Sequence, residues 1–345
     1  MRIADTQIGA GAPPFIIAEL SANHNGSIDR ALETIDAAKK AGASAIKLQT
    51  YTADTMTIDH DSDDFLIAKG PWKGRRLYEL YQEAHTPWEW HPALFARARE
   101  LDLPVFSTPF DPTAIDLLMT LDTPALKVAS FELTDLPLLR AMAATAKPMI
   151  ISTGLANLGE IERAVDTVRA AGNENFVLLH CVSAYPAPVE DINLTTIPLL
   201  ADIFGVPVGL SDHTLGTTVA VAAVALGACV IEKHFTLARA DGGPDSAFSL
   251  EPDEFARLVE DCHTAWKARG RPHVSPTGSE AASIVFRRSL YVVADVAAGE
   301  TITHENVRSI RPGYGLSPAS ADEVFGKVAR HALRRGKPLE WGDIG

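Results

Sequence analysis

Two short stretches of the same design decide the fold: residues 209–214, Gly-Leu-Ser-Asp-His-Thr, and residues 230–236, Val-Ile-Glu-Lys-His-Phe-Thr. Each is an apolar run that ends in a polar cluster containing one histidine. The segment between them carries apolar residues at helical spacing and ends in Gly227, so the pattern predicts a strand–helix–strand unit. In such a unit His213 and His234 lie at the carboxyl ends of neighbouring parallel strands, where parallel α/β folds bind their ligands.

The same alternation of short apolar runs and helical patterns covers the first 270 residues. Eight candidate strands, each followed by a helix, match the size and order of a (β/α)8 TIM barrel. A doubly wound open sheet is the main alternative, but the glycine-rich phosphate turn that usually follows its first strand is absent. The predicted strands are 15–21, 44–50, 104–109, 125–131, 148–153, 175–182, 206–211 and 228–235. The predicted helices are 28–41, 89–101, 113–121, 136–146, 158–171, 194–204, 217–226 and 252–269.

The remaining sequence predicts a second, smaller domain. Residues 271–282 are rich in Gly, Pro and Ser, which indicates a linker. Short strands and turns follow over 283–345, a length that is small for an independent core. We therefore expect a barrel domain over 1–270 and a small domain that docks on a barrel, either its own or that of a partner chain.

The long connection between Tyr51 and Pro87 has two interpretations. Loops of this length are usually functional or disordered. One interpretation is a small helix near residues 75–85 whose aromatic side chains pack on the barrel. The other is a lid over the end of the second strand that helps to enclose a substrate.

Charge and composition exclude several function classes. The chain of 345 residues has a net charge of −13, and residues 1–282 hold 22 Lys/Arg against 37 Asp/Glu. This acidic body disfavours nucleic acid or an anionic membrane as partner, so an anionic substrate needs cations placed locally. No apolar run of about 18 residues and no secretion signal occur. Three widely spaced cysteines without a CxxC indicate buried thiols, and we expect a cytoplasmic location.

Polar side chains gather at the carboxyl ends of the predicted strands. Lys47, Lys127 and Lys233 lie in apolar strands, where burying a lysine is costly unless an anion accompanies it. Nearby Ser and Thr hydroxyls make a phosphate the natural ligand of at least one of them. The alternative is that the lysines form internal salt bridges with three glutamates. Those glutamates are Glu19, Glu132 and Glu232.

Two histidines at adjacent strand ends favour a divalent metal site. His213 and His234 suit Mn²⁺, Fe²⁺, Co²⁺ or Zn²⁺ better than an ion that prefers only oxygen ligands. Two protein ligands also leave positions open for water and substrate, as a catalytic metal requires. His24 and His180 are weaker candidates. Asp212 either orients its neighbouring histidine or pairs with the lysine of the last strand.

These motifs, taken in order, resemble the sialic acid synthase family over essentially the whole chain. The barrel motifs are FIIAELSANHNGS (15–27), IKLQTY (46–51), FSTPFD (106–111), LKVASFE (126–132), IISTG (150–154), HCVSAYP (180–186), GLSDHT and IEKHFT. The segments RRSLYVVADVAAGE and RPGYGLSP resemble the family's C-terminal antifreeze-like (SAF) domain, which has a β-clip fold. AELSANH and WKGRRLYELYQEAHTPWEWH resemble the subgroup that forms pseudaminic acid. GPDSAFS (243–249) departs from the GPDHxxS form of neuraminate-forming enzymes at Ser246.

The resemblance implies a transferase that condenses phosphoenolpyruvate (PEP) with the open-chain aldehyde of an acetamido sugar and releases phosphate. The subgroup implies 2,4-diacetamido-2,4,6-trideoxy-L-altrose as the sugar, with formation of legionaminate or N-acetylneuraminate as alternatives. The cofactor implied is a divalent metal on His213 and His234, with Mn²⁺ expected before Mg²⁺ or Co²⁺. A homodimer is also implied, in which the SAF domain docks on the other chain's barrel and supplies Arg311, with Phe286 near the same cavity mouth.

The resemblance also implies roles for residues at the strand ends. Glu132 would take the proton of the attacking water, and Glu19, Lys47 and Lys127 are the other catalytic candidates. The PEP-binding residues implied are Lys47, Thr108, Lys127, Ser130, Ser152, Ser183 and Ser211. The sugar-binding residues implied within the barrel are Glu19, Gln49, Tyr185 and Asp245.

Two further hypotheses come from other classes. One is a Schiff-base aldolase or lyase with Lys47, Lys127 or Lys233 as nucleophile. The other is a carbohydrate- or ice-binding protein, suggested by the antifreeze-like tail. The row of Lys, Glu and His at the strand ends argues against the second, because a flat ice-binding surface needs no such charges.

Overall fold

The computed structural model describes all 345 residues and divides the chain into two compact units, Met1–Gly270 and Arg271–Gly345. In the first unit eight parallel strands close into a barrel, which confirms the predicted fold class. The strands are β1 Phe15–Glu19, β2 Ala45–Thr50, β3 Val105–Pro109, β4 Leu126–Val128, β5 Met149–Ser152, β6 Phe176–Cys181, β7 Val208–Asp212 and β8 Val230–His234.

Helices alternate with these strands as the sequence predicts. Polar caps begin several of them: Ser27, Asp111, Asp135 and Asn157 each accept a hydrogen bond from a backbone N–H in the first turn, as good N-caps do. The helices of this unit are α1 Ile28–Lys40, α2 Ala53–Met56, α3 Leu77–Ala84, α4 His91–Glu100, α5 Pro112–Thr120, α6 Leu136–Ala144, α7 Leu158–Ala170, α8 Thr196–Phe204, α9 Thr218–Ala225 and α10 Pro252–Arg269.

Alternate residues along the strands pack into two separate apolar cores. Ile17, Phe106 and Val177 join one cluster together with Ile3 of a short hairpin that precedes β1. The intervening strand residues, such as Ile16, join a larger cluster with the apolar faces of the helices. Because both faces of every strand are covered, the strands read as continuous apolar runs rather than as alternating ones.

One predicted strand differs from the expectation, and one predicted helix agrees with it. The predicted strand 125–131 ends at Val128, because Ser130–Glu132 turns into a 3-10 helix. The connection after Tyr51 contains α3, which matches the small helix expected near residues 75–85.

The second unit is a small β domain, as the sequence predicts. Strand β9 (Ser289–Val292) pairs antiparallel with β10 (Val307–Ile310), and a single turn of helix, α11 (Ala321–Val324), follows. Its core is a separate apolar cluster that includes Leu290 and Leu339.

Two compositional expectations can also be compared with the structure. Cys181, Cys229 and Cys262 are all free and buried, which confirms the expectation of buried thiols. No helix combines the length and apolar character needed to cross a bilayer. The cytoplasmic location stays a prediction.

Gly209→Ala tests how tightly β7 and β8 pack. A Cβ at this position would lie 2.3 Å from the Val230 carbonyl oxygen and 2.7 Å from Leu179 Cδ2. We expect a loss of about 2–3 kcal/mol or more of unfolding free energy in urea. Gly159→Ala in α7 is the matched control, because its Cβ meets nothing closer than 3.5 Å; it should be neutral or stabilise by up to about 1 kcal/mol. Equal stabilities for the two variants would contradict this packing.

Candidate active site

A cavity of about 440 Å³ lies at the carboxyl ends of the barrel strands. Polar side chains from seven of the eight strands or the loops after them line it, and Phe110 comes from the remaining one, β3. Predicted site residues found in the lining are Glu19, Lys47, Gln49, Lys127, Ser130, Glu132, Ser152, Tyr185, Ser211, His213, His234 and Asp245. A second hollow, between α6 and α7 on the outer surface, brings together no comparable set of reactive groups.

Lys47 is held in a buried ion cluster on the cavity wall. Its Nζ lies 2.7 Å from Glu19 Oε2 and 3.5 Å from Glu232 Oε1, and it donates to Thr108 Oγ1 at 3.3 Å. Burial alone lowers the pKa of Lys47, but the two carboxylates outweigh burial and raise the pKa above its usual value. The expected internal pairing therefore holds for this lysine, which still faces the cavity.

Lys127 has no carboxylate within salt-bridge distance. Its Nζ donates to the Val128 carbonyl and to Ser152 Oγ, both at 2.7 Å, and burial lowers its pKa. An incoming anion would meet an ammonium group whose charge is only partly balanced, which is the arrangement expected of an anion site.

Lys233 does not belong to the cavity. Its Nζ lies 2.7 Å from Asp212 Oδ2, and both side chains are fully buried. Asp212 Oδ1 also accepts hydrogen bonds from Thr214 N and Oγ1. Of the two roles considered for Asp212, the structure gives pairing with Lys233, and this lysine is a poor candidate for a nucleophile.

Serine hydroxyls converge beside Lys127. Ser130 Oγ accepts a hydrogen bond from Gly154 N at 3.0 Å. A Cβ at Gly154 would lie 2.7 Å from Ser130 Oγ and 2.4 Å from Ser183 Oγ. Only glycine at residue 154 leaves room for these two hydroxyls. The Gly154 N–H and the serine hydroxyls therefore lie together near the ammonium group of Lys127. Ser183 is not one of the residues that line the cavity.

The two histidines at the ends of β7 and β8 both line the cavity, with ring centroids 5.5 Å apart. His213 Nδ1 donates to the Val182 carbonyl at 2.9 Å, which leaves the Nε2 lone pair available. His234 Nδ1 is buried without a hydrogen-bond partner, and burial, aided by the charge of His213, lowers the pKa of His234 well below its usual value. A metal ion requires neutral imidazoles with free lone pairs, which His234 already offers. Burial lowers the pKa of His213, but its contacts with Cys181 and the Val182 carbonyl outweigh burial and raise it, so a metal would have to displace a proton from His213.

No third protein ligand stands beside the two imidazoles. The chain holds no cluster of three His, Cys, Asp or Glu side chains suited to a metal. The donor set therefore fits a divalent ion that keeps most positions for water or substrate. The two weaker candidates bond to backbone instead: His24 Nε2 lies 3.3 Å from the Ala84 carbonyl, and His180 Nε2 lies 2.5 Å from the Ile192 carbonyl.

Two glutamates in the cavity have pKa values suited to proton transfer. Burial raises the pKa of Glu132 to about 7, and Glu132 Oε2 has no hydrogen-bond partner. Burial also raises the pKa of Glu19, with Lys47 opposing and Glu232 adding to the shift. A carboxyl group that titrates near neutrality can exchange protons at working pH.

The remaining wall of the cavity carries hydrogen-bonding and aromatic groups. Gln49 Nε2 donates to Glu19 Oε1 at 2.9 Å and to Ser21 Oγ at 3.1 Å. The ring of Tyr185 lies 4.3 Å from that of His213 and 5.7 Å from that of Trp72, centroid to centroid.

The connection after Tyr51 covers this side of the cavity. Trp72 Nε1 donates to the Pro244 carbonyl at 3.0 Å and ties the connection to the loop after β8. The residues of the connection that line the cavity are Met56, Ile67, Lys69, Trp72, Leu77, Leu80, Tyr81 and Ala84. The connection thus contains the expected small helix and also takes the position of a lid.

Sequence reasoning gave no role to several residues of the lining. Ser21 and Cys181 are examples. Cys181 Sγ lies 3.9 Å from His213 Nδ1; its position at the carboxyl end of β6 was the signal available. Arg311 and Phe286 are exposed residues of the second unit, and their role toward a partner's cavity stays a prediction.

Comparisons with known families support this description of both units. The NeuB family model matches residues 34–274, and the SAF domain model matches residues 287–345.

Individual relatives match over most of their length. Pseudaminic acid synthase of Helicobacter pylori is 44% identical over 96% of this chain and 98% of its own. N,N'-diacetyllegionaminic acid synthase of Legionella pneumophila is 38% identical over 97% and 96%. The crystal structure of N-acetylneuraminic acid synthetase from Leptospira borgpetersenii, in complex with citrate, superposes with a TM-score of 0.74 at 34% identity and covers 82% of this chain and 94% of its own.

Proposed function

This chain belongs to the NeuB family, and we propose that it condenses PEP with the open-chain aldehyde of 2,4-diacetamido-2,4,6-trideoxy-L-altrose, giving pseudaminic acid and phosphate. The observation that carries the proposal is the 44% identity to the Helicobacter pylori pseudaminic acid synthase over nearly the full length of both chains. The relative named for legionaminic acid is less similar, at 38%, and makes that product the first alternative.

PEP would bind beside the two cavity lysines. Lys127, with Ser130, Ser152 and the Gly154 N–H nearby, suits one anionic end of PEP. Lys47, with Thr108, suits the other. Their positive charge stabilises the negative charge that accumulates on the phosphate as it leaves. Ser211 and Ser183 complete the proposed PEP site.

The sugar would lie beside this PEP site, with its aldehyde toward the histidines. Glu19, Gln49, Tyr185 and Asp245 are the proposed contacts there, since all four line the cavity. Aromatic rings of Tyr185 and Trp72 supply an apolar surface for the carbon chain and methyl group of the open-chain sugar.

The proposed cofactor is a divalent metal held by His213 and His234, with Mn²⁺ expected first. When bound, the ion supplies Lewis acidity to the aldehyde oxygen. The support for it is the orientation of His213 by the Val182 carbonyl and the unpartnered nitrogen of His234.

The reaction needs one base for water. C3 of PEP forms a bond to the aldehyde carbon, which leaves positive charge at C2, and water adds there. Glu132 is the proposed acceptor of the water proton, because its carboxyl group titrates near neutrality and has an unpartnered oxygen. The C2–O bond to phosphate then breaks as the C2 hydroxyl gives up its proton, so C2 becomes the ketone of the product. Of the two protons that water supplies in total, one leaves with phosphate and the other converts the former aldehyde oxygen into a hydroxyl group.

The homodimer rests on the family resemblance alone. In that proposal the second unit of one chain reaches the barrel of its partner, where Arg311 would donate to acetamido carbonyls and Phe286 would lie nearby.

Turnover with three sugars tests the substrate. Purified protein with PEP and Mn²⁺ is offered the precursors of pseudaminic, legionaminic and neuraminic acid separately, and phosphate release is measured. We expect kcat/KM to favour the altrose derivative by roughly tenfold or more. Preference for another precursor would sink the substrate assignment. Covalent trapping of pyruvate by borohydride would instead support the Schiff-base alternative, with Lys127, whose pKa burial lowers, as the candidate nucleophile.

His213→Ala tests the metal site. We expect the Mn²⁺ affinity, measured by calorimetry, to fall while the folded structure persists. Loss of a residue that only supports a metal ligand lowers metal affinity by roughly 10–100-fold, so loss of the ligand itself should lower it further. His180→Gln is the control, because His180 is bonded to the Ile192 carbonyl and lies outside the lining; its Mn²⁺ affinity should match that of the unmodified chain. Full activity of His213→Ala after chelation would rule the site out.

The pH profile tests Glu132. Its carboxyl group must be deprotonated to accept a proton, and burial raises its pKa to about 7, so kcat/KM for PEP should fall as the pH drops below about 7. Glu132→Gln should lower the rate by about 10²–10⁴-fold and abolish this dependence. Exposed Glu190→Gln is the control and should leave the profile unchanged. An unchanged acid limb in Glu132→Gln would assign the limb to another group.

A further inference from the structure

Ser21 has an unusual backbone conformation at the edge of the cavity. It follows directly on β1 and Leu20, and its φ of 49° lies in the left-handed region, which disfavours every residue with a Cβ. Eight non-glycine residues of the chain have a positive φ. Seven of them are exposed, and Ser21 is the one that is buried. Glycine would meet the backbone requirement without strain, so what the serine adds is its hydroxyl.

That hydroxyl joins two side chains from distant parts of the sequence. Ser21 Oγ donates to Asp245 Oδ2 and accepts a hydrogen bond from Gln49 Nε2 at 3.1 Å. Asp245 comes from the loop after β8 and Gln49 from β2, and both line the cavity. The Ala22 N–H adds a weaker contact to the same Asp245 oxygen, at 3.5 Å.

These bonds decide which polar atoms remain for a ligand. Both hydrogens of Gln49 Nε2 are used, by Glu19 Oε1 and Ser21 Oγ, so its carbonyl oxygen is left over. The opposite orientation of the amide would place that carbonyl against the Glu19 carboxyl oxygen, which is unfavourable. Asp245 uses Oδ2 for Ser21, and Oδ1 is left over. Two acceptor oxygens are thereby fixed on one wall.

We propose that Ser21 is a specificity-determining positioning residue, which holds Gln49 and Asp245 so that two acceptor oxygens face the N–H and O–H donors of the acetamido sugar. This inference rests on the proposed function. A site built to accept such donors rejects a substrate that lacks them far more strongly than an apolar site does. PEP has no N–H group and is proposed to bind at the lysines. Loss of the Ser21 hydroxyl leaves the Gln49–Glu19 and Glu19–Lys47 contacts in place, so PEP binding should not change.

The test compares Ser21→Gly with Ser21→Ala in the full-length chain. Both variants lack the hydroxyl and differ in backbone strain, because only glycine relieves it. We expect the KM for the sugar to rise by roughly tenfold in both, with the KM for PEP unchanged. The thermal midpoint should be higher for Ser21→Gly than for Ser21→Ala. The sugar used is whichever of the three precursors the unmodified chain turns over.

Ala146→Gly is the matched control. Ala146 has a φ of 57° and is exposed, and it lies before β5, at the opposite end of the strands from the cavity. Its replacement relieves the same kind of strain and should change neither KM. If Ser21→Ala does not fold, Ser21→Gly alone decides the question.

The outcomes separate this inference from the function on which it rests. A sugar KM in Ser21→Gly equal to that of the unmodified chain overturns the inference. So does a parallel rise of both KM values, which would mean general distortion. Absence of phosphate release from the unmodified chain with all three sugars overturns the proposed function and the inference with it.

Discussion

Parallel pairing of β8 with β1 is the constraint on which the rest of the structure depends. Five residue pairs, from Val230–Phe15 to His234–Glu19, close the sheet, so every strand has two neighbours and all carboxyl ends face one cavity. Register matters as much as closure, because a shift by one residue would turn each inward side chain outward. The pair at the end of this ladder places a candidate metal ligand directly beside a candidate acid–base group.

Closure forces charged groups into a space with little water. Lys47, Glu19 and Glu232 compensate one another, whereas Lys127 bonds only to neutral oxygens. A phosphate or carboxylate next to Lys127 would offset the desolvation that lowers its pKa. In the fully buried Lys233–Asp212 pair the two charges already compensate each other, so no further anion is needed. Removing one member would leave an uncompensated charge at a cost of about 3–5 kcal/mol. Two lysines in similar strand contexts thus differ in whether a carboxylate compensates their charge.

Sequence patterns predicted the barrel because its determinants are local. The apolar runs, the helical spacing and polar caps such as Asn157 all act within a few residues. Polar strand ends predicted twelve of the residues that line the cavity for the same reason, whereas the residues that the connection after Tyr51 contributes were not predicted as site residues. Pairing preferences were beyond reach: Lys127 and Lys233 both follow apolar residues in strands, and only the fold shows which one meets a carboxylate. The contacts of Cys181 and Ser21 were also beyond reach, because their neighbours in space are His213 and Asp245, far away in sequence.

Several local imperfections of the first unit lie where chemistry is proposed, although three other buried side-chain atoms without a hydrogen-bond partner, on Asn23, Thr86 and Asp111, lie outside the cavity lining. Glu132, Glu232 and His234 each keep a buried polar atom without a hydrogen-bond partner, and all three line the cavity. Ser21 adds backbone strain at the same place. Each feature costs folding free energy, and a barrel needs none of them to close. The surrounding structure holds these unpaired polar atoms in place. A substrate that binds can supply the hydrogen bonds that they lack. This argues that ligands, rather than the fold, complete the hydrogen bonding of the cavity wall.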